Sequence, residues 1–561
     1  MKKVNFVKKY LYFIILLLSI PAVRYLFVDG YFGVSDDLHI GWLFEMDRVV
    51  KMLQFPPRYV PDLSFGFGYP LFSFVYPLPF YIAEAFHLIG FSLVGSVKIV
   101  FGLSIPFSMY FMYKLLRQFM AREMSLAGAV LYVYAPYRAL EIFVRGTIGE
   151  IVAFVFLPLI TLSFIKLTSN EKSFKWVGIA GLSTAALVLS HNIMAYMFMP
   201  FLLIFVVARI IWISKDKKEA ISRSFWGLLS GLLTSIYFWF PAILESRLMQ
   251  YDTVFNFYNH FPTLRQFITP YFGYGASVPG PYDTMSFYMG FTGLAVVLLG
   301  SIIFVKKYKI FSLEEKIFLL WGTVIFFASI FMMNHRSAFL WENLPLLPYF
   351  QFPWRFLVMI CFASPLFLLV FAKLFKNKKN FSVLISFFVI LFSILLNFKY
   401  FKTSEYLGRE DAYYINRYIP KGTASDAYKQ TSEEYLRLPK ATQKRPDKLY
   451  KRAYTDSAAI LRIEEKSALD AKIITDSEYE FELYYTKYMY PGWVAKIDGK
   501  RTEIIAGKPF GQITITVPAG THVVEVEYRE STMRLLLDIV SVMSLGACIV
   551  ILSKEDLFKS D

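Results

Sequence analysis

LYFIILLLSIPAVRYLFV (residues 11–28) is apolar apart from one arginine, and VLISFFVILFSILLN (383–397) carries no charge at all. As α-helices, runs of about 20 residues cross about 30 Å of hydrocarbon. Runs of this kind recur with basic flanks at roughly 10–28, 92–116, 124–137, 151–168, 176–190, 193–213, 224–243, 286–305, 316–333, 354–373, 380–397 and 533–552. This predicts a polytopic α-helical membrane protein of about twelve spans. Composition agrees: of 561 residues 56% are hydrophobic and 19% aromatic, with a mean hydropathy of +0.46. A soluble domain sits near about 45–50% apolar.

The net charge of +16 does not mark a nucleic-acid binder, because the lysines and arginines punctuate the ends of apolar runs instead of gathering on one domain. They set orientation by the positive-inside rule. A cytoplasmic N-terminus puts KLLRQFMAR (114–122), EKSFK (171–175), SKDKKEAISR (214–223), VKKYK (305–309) and KLFKNKK (373–379) on the cytoplasmic side, with the C-terminus. The turn at 190–192, on the opposite side, has no Lys or Arg. MKKVNFVKKY precedes an apolar stretch without a small-residue cleavage site, so the first helix is expected to stay uncleaved. Cys361 and Cys548 both fall inside apolar runs and are expected to be inert core residues. Segment 66–91 holds three prolines, Glu84 and His87, which suit an interfacial or re-entrant element better than a full span.

This topology divides the chain into a transmembrane module (1–399), an extracytoplasmic β-rich domain (400–531) and a final helix with a short tail (532–561). The exterior face also receives a first loop (29–91), a second (138–150), and loops 245–285 and 334–353. FELYYTKYMYPGW (481–493) and QITITVPAGTHVVEVEYRE (512–530) alternate apolar and polar residues, the period of half-buried strands. KIDGKRTEI (496–504) reads as a hairpin turning at Asp498-Gly499. A small β-sandwich follows, preceded by a helical or irregular portion (403–440). No Gly-rich phosphate loop or Cys/His metal spacing is present in the sequence.

The candidate chemistry lies on the exterior loops. GVSDDLHIGWLFEMDRVVKML (33–53) opens with Asp36, Asp37 and His39 and continues as an amphipathic helix expected to lie on the membrane surface. Either aspartate could cap that helix, and either could deprotonate an acceptor hydroxyl. YAPYRALEIFVRGTIGE (134–150) packs Arg138, Glu141, Arg145 and Glu150 between two apolar runs. Ionisable groups at membrane depth mark function by default, although an ion pair such as Arg138 with Glu141 is the plainer reading. Arg145 presents a fork that matches phosphate. Ser190-His191-Asn192 sits at a helix–helix turn, Asn334-His335-Arg336 opens another loop, and FPWRF (352–356) places Arg355 at the start of a span. A lone histidine in a turn is more often structural than catalytic. The grouping of acids and arginines on one face carries the signal.

That grouping resembles the GT-C superfamily of membrane glycosyltransferases. More narrowly, SDDLHIGWLFEMDRV (35–49), PRYVPDLSFGFGYPLFSFVYPLPFY (57–81), APYRALEIFVRGTIGE (135–150), LSHNIM (189–194) and FPWRF resemble a bacterial membrane-protein family labelled "6-pyruvoyl-tetrahydropterin synthase-related". YPGWVAKIDGK (490–500) and PAGTHVVEVEY (518–528) are similar to the module that ends YfhO-type membrane proteins. Pterin-synthase chemistry itself would want a three-histidine zinc site, which six scattered histidines do not supply.

The resemblance implies a bacterial plasma-membrane enzyme that moves a sugar from a polyprenyl-phosphate donor to a glycan or lipid-linked acceptor in the cell envelope. The catalytic acids would be Asp36 or Asp37 with Glu150. His39, Glu141, Arg145, His191, Asn192, Arg336 and Arg355 would bind donor, acceptor or phosphate. Some members use a divalent cation (magnesium or manganese), for which Asp37 and Glu150 would be the ligands, and others use none. Two other readings compete: a transporter or flippase of a lipid-linked saccharide, disfavoured by the lack of an inverted repeat, and a non-catalytic envelope scaffold.

Overall fold

The computed structural model describes residues 6–169, 174–250, 256–280, 282–419, 421–422 and 437–554. The chain is a polytopic helical membrane protein carrying a β-rich domain before its last helix. Among the described residues eight helices are long and apolar enough to cross a bilayer. A ninth span results if Lys217–Thr234 and Ile236–Leu248, bent by 65°, count as one. Predicted spans 176–190 and 286–305 form shorter apolar helices, Lys175–Ser190 and Phe291–Lys306. Predicted span 124–137 is the twelve-residue helix Arg122–Val133, cut short before Pro136 opens a new turn. Every predicted span therefore meets a helix, but three fall below spanning length. Both terminal tails and most of EKSFK lie outside the described residues.

Ile148–Leu167 is the most enclosed of the spanning helices. It packs against Leu93–Leu116, Lys175–Ser190 and Asn192–Trp212. Segment 66–91 forms two short helices, Leu71–Phe74 and Leu78–Leu88, neither long enough to span. The predicted surface helix is Leu38–Lys51. It does not lie open on one face: Leu38, Ile40, Leu43, Met46 and Val49 are buried, and so are His39, Glu45 and Asp47. The helix Asp411–Tyr418 and the helices around it cover the side expected to meet solvent.

The β-domain is two antiparallel sheets. One runs Ala453–Tyr454, Phe481–Tyr488, Gln512–Val517, Ile505–Gly507. The other runs Ile460–Ser467, Asp470–Ser477, Gly520–Tyr528, Trp493–Ile497, Lys500–Thr502. Ile473, Leu483, Tyr485, Ile513, Ile515, Val524 and Val526 fill its core. Ile497 pairs with Lys500, so the turn holds only Asp498 and Gly499, at φ +48° and +79°. Two positive φ angles make the turn type I′, which Asp-Gly favours. The portion 403–440 supplies the Tyr406–Arg409 strand and the Asp411–Tyr418 helix; residues 420 and 423–436 lie outside the described part.

Buried charges staple this domain to the membrane module. Arg534, at the start of the last helix, places Nε 2.9 Å and Nη2 2.7 Å from the two oxygens of Glu245, and Tyr490 donates its hydroxyl to the same carboxylate at 2.6 Å. Arg58 donates to Glu530 at 2.7 Å and to Asp538 at 2.6 Å. Lys487 sends Nζ to the carbonyls of Pro61 (2.6 Å) and Gly66 (2.7 Å). Removing one partner of a buried pair strands the other charge, at a cost of about 3–5 kcal/mol. Glu245→Ala is therefore expected to lower the thermal midpoint in detergent and open the β-domain to limited proteolysis. A protease pattern like the parent's would contradict the staple.

Candidate functional site

The site is built on an irregular turn. After the short helix Pro136–Leu140 the chain winds through one π turn, Glu141–Arg145, and reverses at Gly146 (φ +72°). A side chain at 146 would be strained, and its Cβ would lie 2.7 Å from Val34 Cγ2. Single π turns are frequent at functional sites. The first loop docks on this turn. Ser35 N–H donates to the Val144 carbonyl (3.0 Å), Asp36 N–H to that of Arg145 (2.8 Å), and His39 Nδ1 to that of Gly146 (3.0 Å). The strings SDDLH and RGTIGE thus share one pocket.

Four charged groups converge there. Arg145 Nη1 lies 2.6 Å from Glu141 Oε1 and 2.9 Å from Glu150 Oε1. Arg355 Nε stands 3.3 Å from the same Glu150 oxygen, and its Nη1 donates to the Phe350 carbonyl at 2.9 Å. The Arg145 guanidinium also stacks over Trp354, 4.7 Å from the ring centroid. Glu150 thereby draws two guanidinium groups together. Burial pushes the Glu141 carboxyl up, against the pull of Arg145. Arg138 does not pair with Glu141: it donates to the Ile151 carbonyl and to the hydroxyls of Ser104 and Ser108, and lies over Phe154.

His191 approaches from the 190–192 turn. Its Nδ1 accepts from Met194 N–H at 3.2 Å, which places the proton on Nε2, 3.9 Å from Glu150. Tyr76 packs on His191 with the rings tilted by 39° and their centroids 4.9 Å apart. Gly149 makes this approach possible, since a Cβ there would lie 2.3 Å from the Tyr76 ring and 2.7 Å from the Ser190 carbonyl.

The two aspartates part company. Asp37 is buried, accepts a hydrogen bond from the Tyr418 hydroxyl and has Arg417 Nε 3.9 Å away. It occupies the N-cap position of Leu38–Lys51, yet its side chain makes no capping bond, so the expected cap is not realised. Burial raises its carboxyl, with Tyr418 and Arg417 pulling the other way. Asp36 is half-buried; its carboxylate takes the Ser35 hydroxyl at 3.3 Å, and its charge reaches Arg145, His39 and Tyr76.

Two predicted binders are exposed and show no bond to the cluster among the described residues. Asn192 is exposed, and its Oδ1 accepts from the neighbouring Ile193 N–H. Arg336 is exposed on the His335–Ser337 turn. The divalent-cation expectation does not fit either: Glu150 faces two arginines, and Asp37 faces Tyr418 and Arg417. Among the described residues no group of three or more His, Cys, Asp or Glu is arranged to hold a metal. Tyr76, Trp354, Arg417, Tyr418 and Tyr137, whose hydroxyl donates to Glu150 Oε2 at 3.5 Å, are site neighbours that sequence reasoning missed; only Trp354, beside Arg355 in FPWRF, gave a signal.

Burial pushes the His39 imidazole down, against the pull of Asp36. With the folded value below the unfolded one of about 6.5, protonation favours the unfolded chain. This residue's stabilising contribution is complete above about pH 6.5 and is lost as pH falls below it. Between about pH 7 and 5, His39→Gln is expected to lose less thermal stability than the parent; parallel curves would contradict the burial of a neutral imidazole.

An apolar cavity of about 660 Å³ lies between Phe291–Lys306 and Lys379–Asn397, lined by Phe291, Leu299, Phe388 and Phe392, with Lys399 and Tyr400 also on its wall. Tyr288 lines it, and the residue before it, Phe287, stacks on Trp354 with centroids 5.9 Å apart.

No protein-family model matches the chain. An uncharacterised protein of Lactococcus lactis subsp. cremoris (strain MG1363) is 25% identical over 252 residues, 43% of this chain and 40% of that protein. The apo oligosaccharyltransferase of Archaeoglobus fulgidus aligns at TM-score 0.43 and 14% identity, over 80% of this chain and 62% of that one. Arabinofuranosyltransferase AftD from Mycobacteria aligns at 0.40 and 12%, over 75% and 28%. The chain thus spans less than two thirds of the length of each of these three proteins. At these scores function has to come from the side chains.

Proposed function

We propose that the protein is a membrane glycosyltransferase that moves a sugar from a polyprenyl-phosphate donor to a hydroxyl acceptor at the extracytoplasmic face. The observation that carries this reading is the docking of Ser35 and Asp36 N–H groups on the Val144 and Arg145 carbonyls, at 3.0 and 2.8 Å. The docking supports this reading because the charge of the half-buried Asp36 acts on Arg145, which shares Glu150 with Arg355.

In the proposed reaction Asp36 takes the proton of the acceptor hydroxyl. The acceptor oxygen attacks the anomeric carbon, the bond from that carbon to the phosphate oxygen breaks, and polyprenyl phosphate leaves with the electron pair. The proton ends on Asp36 and the anomeric configuration inverts. Arg145 and Arg355 neutralise the departing phosphate, held for that task by Glu150, which acts as a positioning group. The prenyl chain takes the apolar cavity beside Phe287. Asp37 is assigned a positioning role because its carboxylate is already engaged by Tyr418 and Arg417.

The test is purified full-length protein in nanodiscs, given radiolabelled polyprenyl-phosphate hexoses and pentoses with a cell-envelope glycan extract. New, anomerically inverted glycosidic bonds support the reading. Relocation of the labelled lipid across the bilayer without bond formation would identify a transporter instead and overturn it.

A further inference from the structure

The Asp411–Tyr418 helix and the strand before it come from the stretch leading into the β-domain, yet they grip the first loop at several points. Tyr406–Arg409 pairs antiparallel with Tyr31–Phe32. Asp411 closes the N-terminus of Leu93–Leu116, its two oxygens accepting from Leu93 and Val94 N–H at 2.9 Å each. Tyr418 packs on Gly41, where an added Cβ would lie 3.0 Å from the tyrosine Cβ. Its hydroxyl donates to Asp37 Oδ1, while Arg417 Nε stands 3.9 Å from Asp37 Oδ2 and Arg417 Nη1 donates to the Tyr413 hydroxyl at 3.0 Å.

A carboxylate at an N-cap position ordinarily accepts from the first N–H groups of its own helix. Asp37 forgoes that bond and turns to Tyr418. The residue before it, Asp36, has its N–H committed to the Arg145 carbonyl. The Asp36–Asp37 step is therefore held from both sides, by the π turn through the backbone of one residue and by the Asp411–Tyr418 helix through the side chain of the next.

We propose that Tyr418 and Arg417 are positioning residues, which grip Asp37 and so fix the direction in which the Asp36 carboxylate enters the site. This rests on the reading of Asp36 as the base. The helix belongs to the C-terminal part of the chain, so it makes that part a component of the reaction centre as well as a cover for it. Arg409 and Asp36 are the other charges facing Asp37; Tyr31 and Tyr414 adjoin the same pocket.

The experiment measures transfer from a radiolabelled polyprenyl-phosphate hexose by full-length variants in nanodiscs. A displaced base costs roughly 10- to 100-fold in kcat. Tyr418→Phe is expected to show that loss with donor KM little changed, because Arg145 and Arg355 are untouched. Asp37→Asn, whose amide oxygen still accepts from Tyr418, is expected to retain more kcat than Asp37→Ala. Arg417→Gln, at a half-buried position, repeats the kcat-selective loss in smaller measure should Tyr418→Phe fold poorly. Parent-like kcat in Tyr418→Phe and Asp37→Ala, or a loss confined to KM, overturns the proposal. Asp36→Asn separates the two levels. If it abolishes transfer while the Tyr418 and Asp37 variants behave as the parent, the positioning proposal alone fails. If it retains transfer, the base assignment has failed and the proposal with it.

Discussion

Asp36→Asn is expected to leave a protein that inserts and folds like the parent but transfers roughly 100- to 10,000-fold more slowly, the range a general base supplies. The substitution keeps size and shape, and the anchoring bond is made by the backbone N–H of residue 36, so docking on the Arg145 carbonyl survives. Only the capacity to take a proton goes. Transfer kinetics and a thermal-shift assay, run together, check both halves. A slow but thermally intact variant is the expected result, whereas parent-like turnover would move the base elsewhere, His39 Nε2 being the nearest candidate because Nδ1 already donates to Gly146.

Arg145→Gln is expected to damage stability and transfer together. Nη1 serves Glu141 at 2.6 Å and Glu150 at 2.9 Å, so its loss leaves two buried carboxylates facing each other without their shared cation. Breaking a buried pair costs about 3–5 kcal/mol. Removing one charge-stabilising donor costs roughly 100- to 1,000-fold in turnover. Arg145→Lys is no adequate substitute, since an ammonium lacks the fork and the stacking surface that Trp354 receives. Adding Glu141→Gln to Arg145→Gln removes one stranded charge and is expected to recover thermal stability while transfer stays low. Recovery of transfer as well would show that Arg145 serves the fold alone.

Much of the membrane module was legible because length and apolarity are properties of a single run. Residues 11–28 and 383–397 needed no partner to declare themselves. Arg122–Val133 fell short of a span because the break before Pro136 depends on the chain's turn toward the site, which no hydropathy profile encodes. Asp498-Gly499 could be read as a two-residue turn since its backbone demand is local. The site was half legible. Arg145 and Glu150 stood out as charges among apolar residues, and so did the first-loop acids.

What separated Asp36 from Asp37 was a tyrosine 381 residues away from Asp37 along the chain, and local pattern carries no information at that range. The same holds for Tyr76, which meets His191 only because Gly149 leaves room. The amphipathic pattern of 38–51 correctly announced a helix. It misjudged the environment, since Glu45 and Asp47 are buried, the first accepting from Asp62 N–H at 3.3 Å and the second paired with Lys51 and standing 3.8 Å from His87 Nε2.

The central claim is that the SDDLH loop and the RGTIGE turn face one aqueous compartment and touch. Ser35→Cys combined with Val144→Cys tests it directly, in intact cells treated with a mild oxidant. Cysteines whose Cα atoms lie beyond about 7 Å cannot bridge, while Ser35 N–H reaches the Val144 carbonyl at 3.0 Å. Rapid disulfide formation is expected in the doubly substituted protein and none in either single variant. No cross-link in a correctly inserted protein, or thiol labelling of the two positions from opposite sides of the membrane, would contradict it.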